Sequence, residues 1–356
     1  MRLLFVTQTI DADHPALAQT VDLVRALADR FDAVDVLCGS VGRHGLPASV
    51  ELSTFGASSR IGRGLRFAQA ARHALARRPD AVLVHMVPLF LVLLAPLAKA
   101  RRVPLLLWYT HWHAGRSLRA ATSLADVVLS VDRRSFPLET PKLHATGHAI
   151  DVDRFVPGDG PRADGPLRLL SLGRMARWKG HATTLEGVRL AVERGLDAEL
   201  ELRGPALTDD ERVHAVELES IVAGSDSLRG RVRLEPPVAR EEIPSLLRAA
   251  DALVSATQPR ASETLDKVVY EAAACGVPVV ASNAALAEFL GGLPLELSFP
   301  PRDAEALARD LRGLDAAGAD VRRQTGLELR SRVVEQHSLE SWADAVAAVV
   351  ADKSRK

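Results

Sequence analysis

Short apolar runs alternate along the chain with longer stretches in which apolar residues recur at helical spacing. This alternation predicts parallel sheets covered by helices on both faces, which is the α/β class with Rossmann-like domains. The apolar runs predict strands at residues 2–7, 34–38, 50–54, 81–86, 104–108, 127–130, 143–145, 167–172, 198–203, 232–235, 251–255 and 277–281. The helical patterns cover residues 15–30, 60–78, 208–223, 241–250, 303–314, 321–334 and 339–350, with further helices opening near Pro88 and His181.

A segment rich in proline and glycine, residues 155–166, interrupts the alternation and is predicted to be an interdomain linker. We therefore expect a first domain over residues 1–155 and a second domain over residues 156–337. A terminal amphipathic helix at residues 338–352 follows, with Ser338 as its N-cap. A chain of 356 residues is long enough to give each domain a core of its own.

Residues 81–98 carry no ionisable side chain apart from His85 and reach the lower length limit of a transmembrane helix. Pro88 and Pro96 interrupt this segment, so a strand followed by a helix is the favoured interpretation. The sequence runs directly into its first strand without a secretory signal, and we therefore expect a cytoplasmic protein.

The charge and cysteine content narrow the classes of partner. Acidic and basic residues balance at 45 each, so the overall charge does not favour nucleic acid as a partner. Cys38 and Cys275 are far apart in the sequence, and each lies near the end of a predicted element. We expect both to be small core residues in a reducing compartment, and neither a disulfide nor a metal pair.

The stretch at residues 260–282 predicts a loop, a helix, a tight turn and a buried strand. With Ser262 as the N-cap, the backbone N–H groups of Thr264–Asp266 have no intrahelical partner, which suits a phosphate. Glu263 lies beside this anion site, and Glu271 lies two turns further along. For the two glutamates alone, solvated acids on an amphipathic helix are the simpler interpretation. Carboxylates on either side of a diphosphate would also bind the hydroxyls of a nucleotide sugar.

A second loop at residues 173–180 reads Gly-Arg-Met-Ala-Arg-Trp-Lys-Gly, after one predicted strand and before the next helix. Arg174 and Lys179 are cations beside a helix N-terminus. A diphosphate leaving group needs such charges, because its own negative charge grows as the glycosidic bond breaks. A solvated pair on the surface is the alternative.

Both stretches resemble the retaining glycosyltransferases of family 4, enzymes of the two-domain GT-B fold. Residues 263–271 resemble their Glu-x7-Glu motif and continue as Ala-Ala-Ala-Cys-Gly-Val-Pro-Val-Val, while residues 173–180 resemble their Gly-Arg-x-x-x-x-Lys-Gly loop. The resemblance implies two Rossmann-like domains facing a central cleft, with the acceptor on the first domain and the donor on the second. It also implies that the terminal helix crosses back onto the first domain.

The resemblance assigns roles to individual residues. Glu271 would bind the ribose, Glu263 the donor sugar, and His111 would face that sugar from the first domain. Glu263 and His111 are thus the candidate catalytic residues. One departure stands beside the motif: many members carry an aromatic residue and a glycine where this chain has Leu265 and Asp266. The donor-binding residues are then Gly173, Arg174, Lys179, Thr264, Leu265, Asp266, Lys267 and Glu271.

Two loops of the first half are candidate acceptor or sugar contacts. Asp11 and Asp13 follow the first strand as an Asp-x-Asp, for which local turn capping is the favoured interpretation and acceptor contact the alternative. His111 and His113 stand among three aromatic residues directly after a predicted strand, which favours a site over a structural role. No third ligand is evident near them, so a metal site is not predicted.

These observations predict a retaining, hexosyltransferase-type enzyme that moves a sugar from a nucleoside-diphosphate sugar to a glycan, lipid-linked or small-molecule acceptor. No cofactor or metal is expected. The alternatives are a nucleotide-sugar epimerase or another GT-B enzyme, and a non-catalytic scaffold with a degenerate site. A nicotinamide dehydrogenase would need Gly-x-Gly-x-x-Gly after the first strand, which this sequence lacks.

Peripheral membrane contact is a further alternative. Residues 60–78 combine six arginines with Ile61, Leu65, Phe67 and Leu75 in a basic amphipathic pattern. A solvated helix face is the commoner explanation of such a pattern, whereas lipid binding would favour a lipid-linked acceptor.

Overall fold

The computed structural model describes residues 1–14, 17–111, 113–158, 165–258 and 266–354, the side chain of Arg60 excepted. The chain divides into two compact units. The first unit comprises Met1–Ala149 together with Gln336–Lys356, and the second comprises Ile150–Glu335.

This division falls before the predicted one, which separates residues 155 and 156. Residues 150–155 belong with the second unit because their backbone is bound there. The guanidinium of Arg330 donates hydrogen bonds to the carbonyl oxygens of Phe155 at 2.7 Å and Val152 at 3.3 Å. Phe155 is itself buried.

The first unit is built on a sheet of seven strands in the order β3-β2-β1-β4-β5-β6-β7, with every pairing parallel. Its strands are β1 (Arg2–Ile10), β2 (Ala33–Val41), β3 (Val50–Thr54), β4 (Ala81–His85), β5 (Leu105–Trp108), β6 (Val127–Ser130) and β7 (Leu143–Ala145). Its helices are α1 (Gln19–Ala28), α2 (Arg60–Ala76), α3 (Pro88–Ala100), α4 (Arg116–Leu124) and the terminal α12 (Leu339–Ser354).

The terminal helix α12 supplies part of the core of the first unit. Trp342 is fully buried and belongs to the same apolar cluster as Leu3 and Phe5 of β1. Its ring lies 5.1 Å from that of Trp108, centroid to centroid. Burying large aromatic side chains contributes strongly to stability, so α12 is an integral part of this unit.

Strand β1 runs three residues further than predicted. Residues 8–10, which lie beyond the predicted strand at residues 2–7, continue the ladder, because Thr9 pairs with Ser40 and Ile10 with Val41 of the neighbouring strand. Thr9 and Ile10 are buried β-branched residues, which fit a pleated, packed surface.

The second unit contains a five-stranded parallel sheet in the order β10-β9-β8-β11-β12. Its strands are β8 (Leu167–Leu172), β9 (Ala198–Arg203), β10 (Val232–Glu235), β11 (Ala252–Ser255) and β12 (Val279–Ala281). Its helices are α5 (His181–Glu193), α6 (Asp209–Ala223), α7 (Ile243–Ala249), α8 (Lys267–Ala274), α9 (Ala287–Leu290), α10 (Ala304–Ala316) and α11 (Gly318–Gln336). Short 3-10 helices lie at Arg177–Lys179 and Ala284–Leu286.

Two further predictions about single elements have clear outcomes. The apolar stretch at residues 81–98 is a strand and a helix, as predicted, and none of the helices described is long and apolar enough to cross a membrane. Cys38 and Cys275 are buried free thiols, and burial raises their pKa to about 11 and about 12. Neither is reactive in this state.

Candidate functional site

The loop at residues 173–180 leaves the carboxyl end of β8, the edge of a parallel sheet where α/β proteins bind ligands. It lies against the loop that leaves β9: Gly173 N donates to Arg203 O at 3.0 Å and Met175 N donates to Pro205 O at 3.0 Å. A Cβ at Gly204 would lie 1.9 Å from the carbonyl oxygen of Gly173. Glycine at position 204 is therefore required for the two loops to approach.

Gly180 and His181 fix the far end of this loop. Gly180 has φ 70°, and a Cβ there would lie 2.0 Å from Ala256 O, so no other residue fits. His181 is buried, and its Nε2 lies 3.0 Å from Arg174 O, which can only accept. The imidazole is therefore a donor at Nε2, and burial lowers its pKa to about 4, so that it is neutral at pH 7.

Arg174 is held by a buried carboxylate. Its guanidinium donates to Glu211 at 2.5 Å, while the other oxygen of Glu211 accepts Leu207 N at 2.7 Å. Burial alone would raise the pKa of Glu211, but these hydrogen bonds outweigh that effect and keep the pKa below its usual range. The arginine head is thereby positioned while nearly half of its side chain stays exposed.

Lys179 forms a nearly buried ion pair with Asp266. The two charged atoms are 2.6 Å apart, and each side chain is 12 % exposed. The second carboxylate oxygen of Asp266 accepts hydrogen bonds from Ser255 at 3.2 Å and from Thr257. Three donors thus surround the carboxylate of Asp266. The lysine predicted to bind a diphosphate is occupied by an anion of the protein itself.

Helix α8 begins later than predicted. Its N-cap is Asp266 rather than Ser262, and its first helical residue is Lys267. The Asp266 side chain makes no capping bond, because its carboxylate is bound to Lys179 and to the two hydroxyls. The orphan N–H groups at the start of α8 therefore belong to residues from Lys267 onward, and of residues 264–266 only Asp266 is described, as the N-cap.

Glu271 is likewise paired. Its carboxylate lies 3.0 Å from the ammonium of Lys267, one helical turn earlier, and its side chain is 13 % exposed. Ser262, Glu263, Thr264 and Leu265 lie outside the described residues, so the roles predicted for them stay predictions.

The described part of this site is electrically balanced. Arg174, Lys179 and Lys267 each pair with one carboxylate, from Glu211, Asp266 and Glu271 respectively. Lys179 and Lys267 lie at the start of α8, and cations beside a helix N-terminus are the chemistry that a phosphate requires. An anionic ligand would have to share these cations with the carboxylates or displace them.

The candidate residues of the first unit have mainly local partners. Asp13 N donates to Asp11 at 3.1 Å, which confirms the predicted local turn. Asp13 also pairs with Arg43, and this hydrogen bond lowers the pKa of the Asp13 carboxyl. His111 follows β5 and accepts a hydrogen bond from His113 N at 3.1 Å, its ring lying edge-on to that of Tyr109. Acceptor contact by Asp11, Asp13 and His113 and the donor-sugar role of His111 stay predictions.

In the described parts of the chain, no three His, Cys, Asp or Glu side chains lie together as metal ligands would. The expectation of a metal-free site stays a prediction.

Sequence reasoning missed four residues that shape the site, namely His181 as a loop anchor, Glu211, Ser255 and Thr257. Only Glu211 had a local signal. Thr208-x-x-Glu211 is the capping-box pattern, and Thr208 does cap α6 by accepting Glu211 N at 3.3 Å. The Glu211 side chain departs from that pattern by binding Leu207 N and Arg174.

Comparison with known proteins finds a family model that matches most of the second unit. Residues 166–316 match the family model described as glycosyl transferases group 1. The D-inositol 3-phosphate glycosyltransferase of Geodermatophilus obscurus is 30% identical over 203 residues, which is 52% of this chain and 44% of that protein. The enzyme of the same name from Salinispora tropica is 29% identical over 205 residues, covering 50% of this chain and 40% of the relative. The chain therefore spans less than half the length of these relatives.

Solved structures match over nearly the whole chain. HepE of Anabaena, crystallised with UDP and glucose, gives a TM-score of 0.74 at 18% identity and covers 99% of this chain and 100% of its own. Sucrose-phosphate synthase from Thermosynechococcus elongatus gives 0.72 at 18% identity, covering 99% and 98%. WaaG, a glycosyltransferase involved in lipopolysaccharide biosynthesis, gives 0.64 at 16% identity, covering 98% and 99%. The chain therefore has the GT-B fold of two parallel-sheet α/β domains.

Proposed function

We propose that this protein is a glycosyltransferase that takes a sugar from a nucleoside-diphosphate sugar. The observation that carries the proposal is the pair of cations at the start of α8, Lys179 and Lys267, with Arg174 on the same loop as Lys179. All three lie within the segment that matches the family model. Fixed cations and a helix N-terminus stabilise the charge that develops on a departing diphosphate. Glu271 would then accept hydrogen bonds from the ribose, and Gly173 would lie beside the phosphates.

The donor is proposed to be a UDP-sugar. HepE of Anabaena was crystallised with UDP and with UDP-glucose, and its fold matches this chain at 18% identity. Retention of anomeric configuration rests on the resemblance of residues 263–271 and 173–180 to family 4. In that mechanism a phosphate oxygen of the leaving group takes the acceptor proton, so no catalytic base is needed. Glu263 and His111 are proposed contacts of the transferred sugar.

Asp266 is proposed to act as an internal counter-ion of the donor site. Its carboxylate holds Lys179 in place and neutralises it while no donor is bound, which avoids leaving an unpaired charge in a nearly buried position. The diphosphate would compete with this carboxylate for the lysine. Donor affinity would then depend on how readily Asp266 gives up its cation.

The names of the relatives do not define the acceptor of this chain. Two of them act by name on D-inositol 3-phosphate, but the chain spans less than half of each. A glycan, a lipid-linked sugar and a small molecule all remain candidate acceptors. Peripheral membrane contact through residues 60–78 also stays a prediction, favoured by Ile61 and Leu65, which are 79% and 68% exposed.

The first test measures thermal unfolding with UDP, GDP, ADP and NAD for the wild type and Glu271→Gln. A ligand at a hundred times its dissociation constant adds about 2.7 kcal/mol to the free energy of unfolding, which gives a clear melting shift. We expect stabilisation by UDP and its loss in the variant. Stabilisation by NAD alone would favour a dehydrogenase, and stabilisation by no nucleotide would favour a scaffold.

The second test separates a retaining transferase from the other enzymes of this fold. In the absence of an acceptor, water can take the acceptor position, and proton NMR then reports the anomer of the sugar first released from UDP-glucose. The α-anomer is expected, because retention preserves the configuration of the donor. First release of the β-anomer would contradict retention, and conversion into another UDP-sugar would favour an epimerase.

A further inference from the structure

The first unit contains an open cavity of about 730 Å³ that the proposed donor site does not use. It lies beside Gln8 and Ser40 on β1 and β2, next to Phe55, which follows β3. Helices α2 and α3 form the remaining walls with Phe67, Phe90 and Leu93. Ligand pockets commonly measure about 300–1,000 Å³ and lie at the carboxyl ends of parallel strands. The size and the place of this cavity are therefore those of a small-molecule site.

The floor of the cavity is a cluster of three aromatic rings. The Phe55 ring meets those of Phe67 and Phe90 edge-on, each at 5.1 Å between centroids, and the Phe67 and Phe90 rings stack at 5.4 Å. Phe55 and Phe67 are anchored in the apolar core of the unit. Leu89 and Leu93 continue the apolar surface outward, and about half of each side chain is exposed to water. Covering such a surface with an apolar group is favourable.

The rim of the cavity is basic, and no carboxylate of the described residues pairs with it. Helix α2 contains no acidic residue, and Arg63 borders the cavity. Within the described ranges, Arg63 and Arg66 donate only to backbone carbonyl oxygens, of Ala57 at 3.4 Å and Gly56 at 2.6 Å. A cation that forms no ion pair beside an apolar cavity favours a ligand with an apolar body and an anionic end.

We propose that this cavity binds the apolar chain or ring of a single anionic amphiphile, with Arg63 beside the charged group. We further propose that the amphiphile is the acceptor of the transfer, and this second step rests on the proposed function. Gln8 and Ser40 lie at the strand ends, where they would contact the polar part of the ligand. The acceptor class is then an amphiphile with a phosphate or carboxylate, in contrast to a purely polar sugar.

Gly64 offers a way to fill the cavity without disturbing the fold. It lines the cavity within α2, and a Cβ there would meet no atom within 4 Å. Glycine is a poor helix former, so Gly64→Trp is compatible with the helix and places a ring in the open space. Gly313 in α10 also has open space around its Cβ. Gly313→Trp is therefore the matched control for adding the same side chain elsewhere.

The experiment is calorimetric titration of the full chain with decyl phosphate below its micelle concentration. Ethyl phosphate provides the anion alone, and decyl maltoside provides the chain alone. We expect decyl phosphate to bind about a hundredfold more tightly than ethyl phosphate, because part of its chain is removed from water. Gly64→Trp should weaken this binding at least about tenfold, whereas Gly313→Trp should leave it unchanged. Arg63→Gln should weaken binding of decyl phosphate at low salt and leave that of decyl maltoside unchanged.

Three results would overturn the proposal. Equal binding by the wild type and Gly64→Trp would place the ligand elsewhere, and equal binding of ethyl and decyl phosphate would mean a surface anion site only. The wild type and Gly64→Trp could both bind phosphatidylglycerol vesicles while neither binds monomeric decyl phosphate. This result would mean that the protein binds a membrane surface and not a single amphiphile in the cavity. UDP binding is measured on the same samples: decyl phosphate binding without UDP binding would remove the acceptor role and retain the cavity as a ligand site.

Discussion

The candidate donor site of the second unit and helix α2 of the first unit differ in how their basic residues are paired. In the second unit, each cation of the candidate donor site has a carboxylate partner, and the pair between Lys179 and Asp266 is nearly buried. In the first unit, helix α2 presents arginines without a single acid in its sequence, and Arg63 and Arg66 bond only to backbone oxygens among the described residues. Both units use the same α/β architecture, so the difference comes from side-chain placement and not from fold.

The contrast distinguishes a cation whose position is fixed by a carboxylate from a cation whose charge is not neutralised. A cation held by a carboxylate has a fixed geometry, and its charge is neutralised until another anion displaces the carboxylate. Such a cation suits the binding of an ordered leaving group. An exposed arginine without a partner has its whole charge available but little fixed geometry, which suits looser recognition of an anionic end. We therefore expect substitutions in the second unit to change binding and stability strongly, and those along α2 to change stability little.

The largest effect is expected for Lys179→Met in the second unit. Removing one group that stabilises developing charge commonly costs about 10²–10³ in turnover. We expect a loss of that size in the rate of UDP-glucose consumption, measured by release of UDP. The double variant with Asp266→Asn removes both charges and controls for the anion left unpaired. Unchanged turnover in both variants would remove Lys179 from the donor site.

Acid should lower the stability of both units, because each unit contains a buried histidine that is neutral when folded. Burial lowers the pKa of His181 to about 4 and that of His85, in the first unit, to about 3, from an ordinary 6.5. Below pH 6.5 these histidines bind protons in the unfolded chain but not in the folded chain. The free energy of unfolding therefore decreases as the pH falls below 6.5. Each histidine should cost about 2 kcal/mol between pH 7 and pH 5.

Urea unfolding at the two pH values measures this loss. His181→Gln keeps a donor for Arg174 O and should reduce the pH dependence by one histidine's share, as should His85→Gln. A pH dependence that neither substitution changes would show that other groups are responsible.

Substitution of Glu211, the buried partner of Arg174, is expected to lower the free energy of unfolding more than substitution of an exposed acid. Glu211→Gln leaves Arg174 without its counter-ion and weakens the hydrogen bond from Leu207 N, so we expect a loss of about 1–3 kcal/mol in the free energy of unfolding. Glu217→Gln, which removes an exposed partner of Arg177, is the matched control and should change stability little. Equal effects of the two substitutions would mean that burial of Glu211 is not decisive.

Asp266→Asn should increase donor affinity. The amide keeps the shape and an acceptor for the hydroxyls of Ser255 and Thr257 but no longer neutralises Lys179. We expect UDP to bind about three- to tenfold more tightly, since a competing charge of the protein is gone. Calorimetric titration of UDP measures it, and weaker binding would mean that Asp266 helps to hold the nucleotide.

The smallest effect is expected on α2. Arg66→Gln together with Arg72→Gln removes two exposed charges, and we expect a change within about 0.5 kcal/mol in the free energy of unfolding, measured in urea. A large loss would mean that α2 depends on these side chains for packing, and the contrast between the units would then weaken.

Strands and cationic loops were predictable because their signals are local. The runs at Val127–Ser130 and Ala198–Arg203 were predicted to the residue, since buried parallel strands are short apolar or alternating runs that end at turn residues. The cations Arg174 and Lys179 were found because they flank one loop before a helix.

Pairing across the fold was not predictable. Lys179 and Asp266 are 87 residues apart, and only the parallel pairing of β8 with β11 brings their loops together. The predicted start of α8 was wrong for the same reason. The carboxylate of Asp266 bonds to groups that are distant in the sequence and does not cap the helix. The cavity of the first unit also escaped prediction, as Phe55, Phe67 and Phe90 come from separate elements.

The most direct measurement is calorimetric titration of UDP into the wild type, Lys179→Met and Asp266→Asn under one set of conditions. If the paired cations of the second unit form the donor site, the wild type binds UDP, the lysine variant loses most of that affinity, and the aspartate variant gains affinity. Equal affinity in all three proteins, or no binding in any of them, would contradict the assignment of this site to a nucleotide-sugar donor.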